Sequence, residues 1–313
     1  MKSVYWKKSR LLAIVAVLLW STASTAFKLS LRSLTPFKLV FLASCVSLII
    51  LWTMVLVKKR VSGSVVFSGK RLAGASIRGL LNPFLYYLVL FEAYDRLPAQ
   101  IAMVINYLWP ITLLLLSIPF LRQRITSRIL ISSCISFCGV AVLVLGGNPA
   151  GGHLSITAMG LALLSTVIWA AFWIMNLRSS SNAVVTLAES FSFGIVYLVL
   201  FGLMTGRLVN IVQTDLAGIA GAVYVGVFEM GITFVIWQKA LELAETTAEI
   251  GNLIYLTPFL ALLFIGSVVG EQIGIFTVGG LLLVISGILL QERWKKKKVK
   301  QDLYSPHRQQ KDM

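Results

Sequence analysis

INYLWPITLLLL at 105–116 and LIYLTPFLALLF at 253–264 are one stretch written twice. A shift of 148 residues lays Tyr107 on Tyr255, Leu108 on Leu256 and Pro110 on Pro258. It continues without a gap to Ile125 on Ile273 and Gly139 on Gly287. A shift of 149 then lays Trp20 of VLLWST on Trp169 of TVIWAA, so the duplication reaches back toward the start of both halves. Each copy carries a proline inside an apolar run. Proline removes a backbone donor and frees a carbonyl one turn earlier, and such breaks at matching places in two repeats point to a site near the middle of a membrane.

Composition says why a membrane is involved. Of 313 residues, 58% are hydrophobic and 13% charged, against about 45–50% and ~25% in soluble domains. A soluble globule with so little charge could not cover its surface. Ten apolar runs can be marked, at 11–27, 39–57, 79–97, 99–121, 129–147, 155–177, 184–205, 216–240, 249–269 and 273–291. Each is long enough to cross a hydrocarbon core of about 30 Å as a helix. The expected fold is an all-α integral membrane protein with ten transmembrane helices. Its expected parts are a five-helix repeat over 1–150, a second over 151–292, and a basic cytoplasmic tail at 293–313.

Charge sets the orientation. The balance is 28 Lys+Arg against 12 Asp+Glu, a net +16. In a soluble chain that would suggest nucleic acid; here it follows from retention of cations in cytoplasmic loops, and no nucleic-acid partner is expected. With ten crossings and an inside N-terminus, only Lys28, Arg32, Lys38, Arg96 and Arg207 lie outside. The chain is therefore expected in the cell (inner) membrane with both termini cytoplasmic. Lys7, Lys8 and Arg10 before an apolar stretch and Ser24-Thr25-Ala26 imitate a cleaved leader. The repeat argues for a retained helix, because the first run is the partner of the sixth. Five crossings per repeat is an odd number, so the second repeat enters inverted, an arrangement recurrent in secondary transporters.

LWST at 19–22 paired with IWAA at 168–171 resembles the EamA-type drug/metabolite transporter superfamily. So do NYLWP at 106–110 and LIYLTPF at 253–259, followed by Gly270-Glu271. The resemblance covers about residues 10–292, and NYLWP is similar to the aromatic amino-acid exporters of that superfamily. It implies ten helices, a central cavity, and export or exchange of small metabolites such as amino acids. The first half departs from strict repetition by having Gln123 where the second has Glu271.

Glu229 is the clearest candidate for coupling. It is the fourteenth residue of the run 216–240, and a charge at that depth costs about 2.5–3.5 kcal/mol on insertion scales, so it must face a cavity or a partner. It suits proton coupling or the anchoring of a cationic group; helix glue is the plainer alternative. Trp20, Asn106, Trp109, Pro110, Trp169, Asn252, Tyr255 and Pro258 are the expected substrate-binding residues. The prolines shape the site, and the amides offer donor and acceptor to a polar solute. Trp169, Trp173 and Tyr255 could form an aromatic wall for a planar solute or a cation, with ordinary packing as the alternative. Trp6 and Trp294 flank the membrane as anchors.

Other features read more plainly. Cys45, Cys134 and Cys138 are expected as core cysteines. His153 and His307 lie outside the runs, no GxxxxGK[ST] or HExxH occurs, and neither cofactor nor metal is expected. Glu189, Glu92 and Asp95 sit at run ends where water should reach them, in gating or simple solvation. Gly266 and Gly270 have GxxxG spacing. The expected function is a secondary active transporter of a small-molecule substrate, working by alternating access in the lipid bilayer with possible proton coupling. The rivals are an integral-membrane enzyme acting on lipid and a passive channel.

Overall fold

The computed structural model describes residues 2–59, 69–121, 127–146, 154–177, 182–208, 214–243 and 252–303. Among these, helices and the turns joining them account for the structure and no strand occurs. Apolar side chains dominate the sequence and lipid offers no hydrogen bonds, so the backbone must satisfy itself within each segment. Five helical stretches are long and apolar enough to cross a bilayer: Lys8–Ser30, Pro36–Val57, Ile156–Asn176, Val184–Met204 and Leu216–Trp237. Ala99–Leu113, Thr257–Val269 and Ile275–Leu290 are shorter apolar helices.

In chain order the helices are α1 (Lys2–Ser21), α2 (Ala23–Ser30), α3 (Pro36–Lys59), α4 (Gly69–Gly79), α5 (Tyr86–Arg96), α6 (Ala99–Asn106) and α7 (Trp109–Leu121). There follow α8 (Ser127–Leu145), α9 (Ile156–Leu177), α10 (Ala183–Met204), α11 (Leu216–Tyr224), α12 (Ile232–Leu243), α13 (Thr257–Phe264) and α14 (Ile275–Leu303). π-helical turns at Leu80–Leu85, Val225–Glu229 and Ile265–Val269 interrupt the regular ladder, and a 3-10 turn spans Asn252–Leu256.

The breaks have local causes. Asn82 leaves helical geometry (φ −147°, ψ 121°) directly before Pro83, whose ring disfavours the α conformation in the preceding residue. Pro110 cannot donate, and the chain tightens there, Leu108 N–H reaching Ile105 O at 3.0 Å. Between α11 and α12, Met230 N–H reaches Val225 O at 3.0 Å. Carbonyls near that break are taken up by side chains: Ser47 Oγ donates to Gly226 O at 2.6 Å, and Thr233 Oγ1 donates to Phe228 O.

Glycines decide two close contacts. A Cβ on Gly79 would lie 2.4 Å from Ser190 O, and one on Gly194 would lie 2.4 Å from Pro83 Cδ. The end of α4 and the turn after it therefore lie directly on α10. A Cβ on Gly139 would lie 2.6 Å from Gly280 O. There α8 meets α14, and Ser136 Oγ donates to Val284 O at 3.1 Å. Small residues give this closeness in lipid, where apolar burial alone drives little association.

A polar clasp joins the two halves at the end expected to face outward. The Glu271 carboxylate accepts from the backbone N–H groups of Ala99 (2.7 Å) and Gln100 (3.2 Å), filling the otherwise unpaired start of α6. Gln100 in turn donates to Gln272 O at 2.8 Å and accepts from Thr277 Oγ1 at 2.7 Å. Lys28 Nζ donates to Tyr94 O and Leu97 O, both at 2.7 Å, and so ties α2 to the end of α5. Losing a cap costs about 1–2 kcal/mol. Glu271→Ala is therefore expected to lower the melting temperature in detergent by about 2–4 °C or more; an unchanged melting curve would deny the clasp any energetic weight.

One expectation changes, and two features gain their structural setting. Cys134 and Cys138 are exposed on α8 and Cys45 is half-buried; thiols sit against lipid as readily as in a core, so apolar sequence does not distinguish the two places. Gly270 takes a left-handed conformation (φ 81°) and ends the Ile265–Val269 turn. α14 runs on to Leu303, past the apolar run and into the basic tail, because Gln, Glu, Lys and Trp there include strong helix formers and no breaker. The rest of the tail, Gln123 and His153 lie outside the described residues.

Candidate functional site

The broken helices surround a cavity of about 380 Å³. Its lining comes from both halves: Trp20 on α1, Ser24 on α2, Tyr86 and Tyr94 on α5, Asn106 on α6, Trp109 on α7, then Trp169 and Trp173 on α9, Glu229 at the end of its π turn, and Phe234 and Trp237 on α12. Half of the described lining residues are aromatic.

Glu229 is placed by the break itself. The π turn and the Met230-Gly231 step end the regular ladder at the carboxyl group, and the Tyr87 hydroxyl donates to Oε1 at 3.3 Å. Oε2 is buried without a hydrogen-bond partner among the described residues. Buried polar atoms are nearly always paired, so an open acceptor on a cavity wall marks a place for a proton or a ligand group.

Rings form a continuous band. Trp237 and Trp20 have centroids 5.4 Å apart, Trp20 and Phe234 5.7 Å, and Phe234 and Trp169 5.6 Å. Trp169 stacks on Tyr86 at 4.5 Å and meets Trp173 edge-on at 5.9 Å. The Trp173 Nε1–H has no partner among the described residues. Asn106 Nδ2 donates to Ser165 Oγ at 2.9 Å. Ser24 and Tyr94 share a hydrogen bond of 2.8 Å.

Set beside known proteins, the sequence profile of the EamA-like transporter family matches residues 7–145 and again residues 156–291. The chain belongs to the EamA-like transporter family. An uncharacterized transporter of Archaeoglobus fulgidus is 26% identical over 288 residues, 91% of this chain and 99% of the relative. The protein PecM of Dickeya dadantii is 24% identical, with 78% of this chain and 85% of PecM covered. A probable terminal-alkyne amino-acid exporter of Streptantibioticus cattleyicolor is 26% identical, with 66% and 69% covered. A solved crystal structure matches with a TM-score of 0.61 at 20% identity, over 93% of this chain and 99% of its own; that likeness is one of fold. The protein is thus a multi-pass membrane transporter.

Within this EamA-family transporter, Trp20, Asn106, Trp109, Trp169 and Glu229 all line the cavity. Pro258 is buried at the start of α13, next to Thr257, which also lines it. Pro110, Asn252 and Tyr255 stand on described helical backbone, but their side chains lie outside the described residues. Sequence reading missed Tyr86, Tyr94, Tyr107, Phe234 and Trp237. The spacing of Phe234 and Trp237, three apart on one helix face, was a usable signal in the same run as Glu229. Nothing along the chain set Tyr86 apart from its aromatic neighbours.

Glu189 differs from expectation. It is 4% exposed, not at a wetted helix end, and Arg71 holds it at 2.8 Å and 3.2 Å. The reason is α4, which lies outside the apolar runs in the sequence yet folds as a helix over the start of α10. At the other expected surface, Glu92 pairs with Arg96 at 2.6 Å and Asp95 is exposed.

Proposed function

We propose that this transporter exports or exchanges small polar metabolites, amino acids among the candidates, by alternating access across the inner cell membrane. The observation that carries the reading is the 380 Å³ cavity between the two halves, with Glu229 set into it at a helix break and one carboxyl oxygen open. In this reading residues 1–150 and 151–292 are inverted five-helix repeats, the tail from 293 is cytoplasmic, and both termini lie inside. Support comes from the paired interruptions. The third apolar run of each half is broken, at Asn82 and at Glu229, and so is the fourth, at Tyr107–Leu108 and at Asn252–Leu256. Discontinuous helices at corresponding places surround midplane sites in transporters whose repeats rock against each other.

Trp20, Asn106, Trp109, Trp169, Asn252 and Tyr255 would contact the solute, with Pro110 and Pro258 shaping the walls. Glu229 would take a proton or a positively charged group. The protein would act without a cofactor or resident metal and would not be an enzyme. The relative named as a probable amino-acid exporter supports amino compounds as the first solutes to try.

Counterflow in proteoliposomes tests the reading. Vesicles loaded with mixed unlabelled amino acids and amines should transiently accumulate one external label, and uptake should saturate. Linear, unsaturable flux would replace the carrier with a channel, and no flux through folded protein would discard transport of these solutes.

A further inference from the structure

Resting on the reading of this cavity as the substrate site, we infer that the solute it selects is an organic cation: an ammonium group, primary to quaternary, on an aromatic or apolar body. The described lining contains one ionisable acid, Glu229, and no Lys, Arg or His. Lys28, at the outer end, is occupied with the carbonyls of Tyr94 and Leu97. A free amino acid brings a carboxylate as well as an ammonium, and that carboxylate would find no opposite charge in the described wall. Leaving a charge buried and unpaired is the most costly arrangement available to it.

An ammonium group meets the reverse situation. Glu229 offers the open Oε2, and the surrounding rings present negative faces. Trp20, Phe234 and Trp169 pass from one to the next at 5.6–5.7 Å between centroids, across α1, α12 and α9. Tyr86 extends the band by stacking on Trp169 and is the immediate neighbour of Tyr87, which hydrogen-bonds Glu229. Rings in several orientations on the walls of a cavity that also holds a carboxyl group suit cations within about 6 Å of a ring centroid. The Trp173 Nε1–H, also open, can donate to a neutral oxygen on the body of the solute. A cavity of 380 Å³ lies within the range of about 300–1,000 Å³ that holds small organic ligands.

Three probes with the same phenol ring separate the possibilities. Tyramine carries only the ammonium, 3-(4-hydroxyphenyl)propionate only the carboxylate, and tyrosine both. Isothermal titration of the purified full-length transporter should show tyramine binding at least about tenfold more tightly than tyrosine, and no binding of the propionate. Phenyltrimethylammonium should bind within about tenfold of tyramine, since a cage reads charge rather than N–H donors. Glu229→Gln should weaken tyramine by about thirtyfold or more. Glu229→Asp, which keeps the charge, should retain part of the affinity; both variants are compared at wild-type elution volume. Tyrosine binding as tightly as tyramine, binding of the propionate, or binding of no probe overturns the inference. Counterflow of a solute without a positive charge overturns it too, while leaving alternating access standing. Tyramine bound but never exchanged keeps the cation site and removes the transport reading.

Discussion

Glu229→Gln is expected to leave a folded transporter whose exchange no longer responds to an imposed pH gradient and falls by at least about thirtyfold. The amide keeps the size of the side chain and can still accept from Tyr87, which bonds Oε1 at 3.3 Å. It removes the one acid of the described cavity lining. Truncating one member of a desolvated charge pair costs about 2 kcal/mol or more, which is about thirtyfold in affinity. The Tyr87 hydroxyl bonds the carboxyl group, and Tyr86, Tyr94 and Tyr107 line the same cavity. None of these exchanges a proton near neutral pH in an ordinary tyrosine, so none replaces the lost acid. The measurement is uptake into proteoliposomes at several internal and external pH values. Wild-type rates and pH response in the Gln variant would sink the coupling role and return Glu229 to structural glue.

The second large effect is on stability. Glu189 is 4% exposed and holds Arg71 at 2.8 Å, with Arg78, 7% exposed, close by on α4. The Arg78 Nε has no hydrogen-bond partner among the described residues. One guanidinium group thus pairs with the Glu189 carboxylate, and the positive charge of a second, Arg78, is near enough to be felt there. Breaking a buried pair by removing one partner costs about 3–5 kcal/mol, because the remaining charge is left uncompensated. Glu189→Gln is expected to lower the melting temperature in detergent by about 6 °C or more. Adding Arg71→Gln to it should restore part of the loss, since contacting residues do not contribute additively. A melting temperature unmoved by Glu189→Gln would mean that the pair is solvated like any surface pair, worth about 0–1 kcal/mol.

Much of the site could be read along the chain because its signals were anomalies of composition or spacing. A carboxyl group deep in an apolar run is expensive, so Glu229 stood out without any structure. Trp20 and Trp169 stood out because one repeat laid them on each other, and Asn106 because it preceded a duplicated proline. Tyr86 and Tyr94 gave no such sign: an aromatic residue in a membrane helix faces lipid, a neighbour or a cavity with equal ease. Phe234 and Trp237 differ in that their spacing of three puts both on one helix face, in the same run as Glu229.

Sequence alone was enough to establish a membrane protein of helices, the internal duplication, the family, and a buried acid in the eighth apolar run. Those conclusions rest on the cost of polar groups in hydrocarbon and on self-similarity, both properties of the chain itself. Tertiary structure decided which aromatic faces close around Glu229, that Glu271 caps a helix of the other half, and that Glu189 is buried beneath α4. Each depends on which helix face meets which neighbour, and where both lipid and protein are apolar, hydrophobicity does not mark that face. Small residues and hydrogen bonds do: Gly79 and Gly194 bring α4 onto α10, and only then do Arg71 and Glu189 meet.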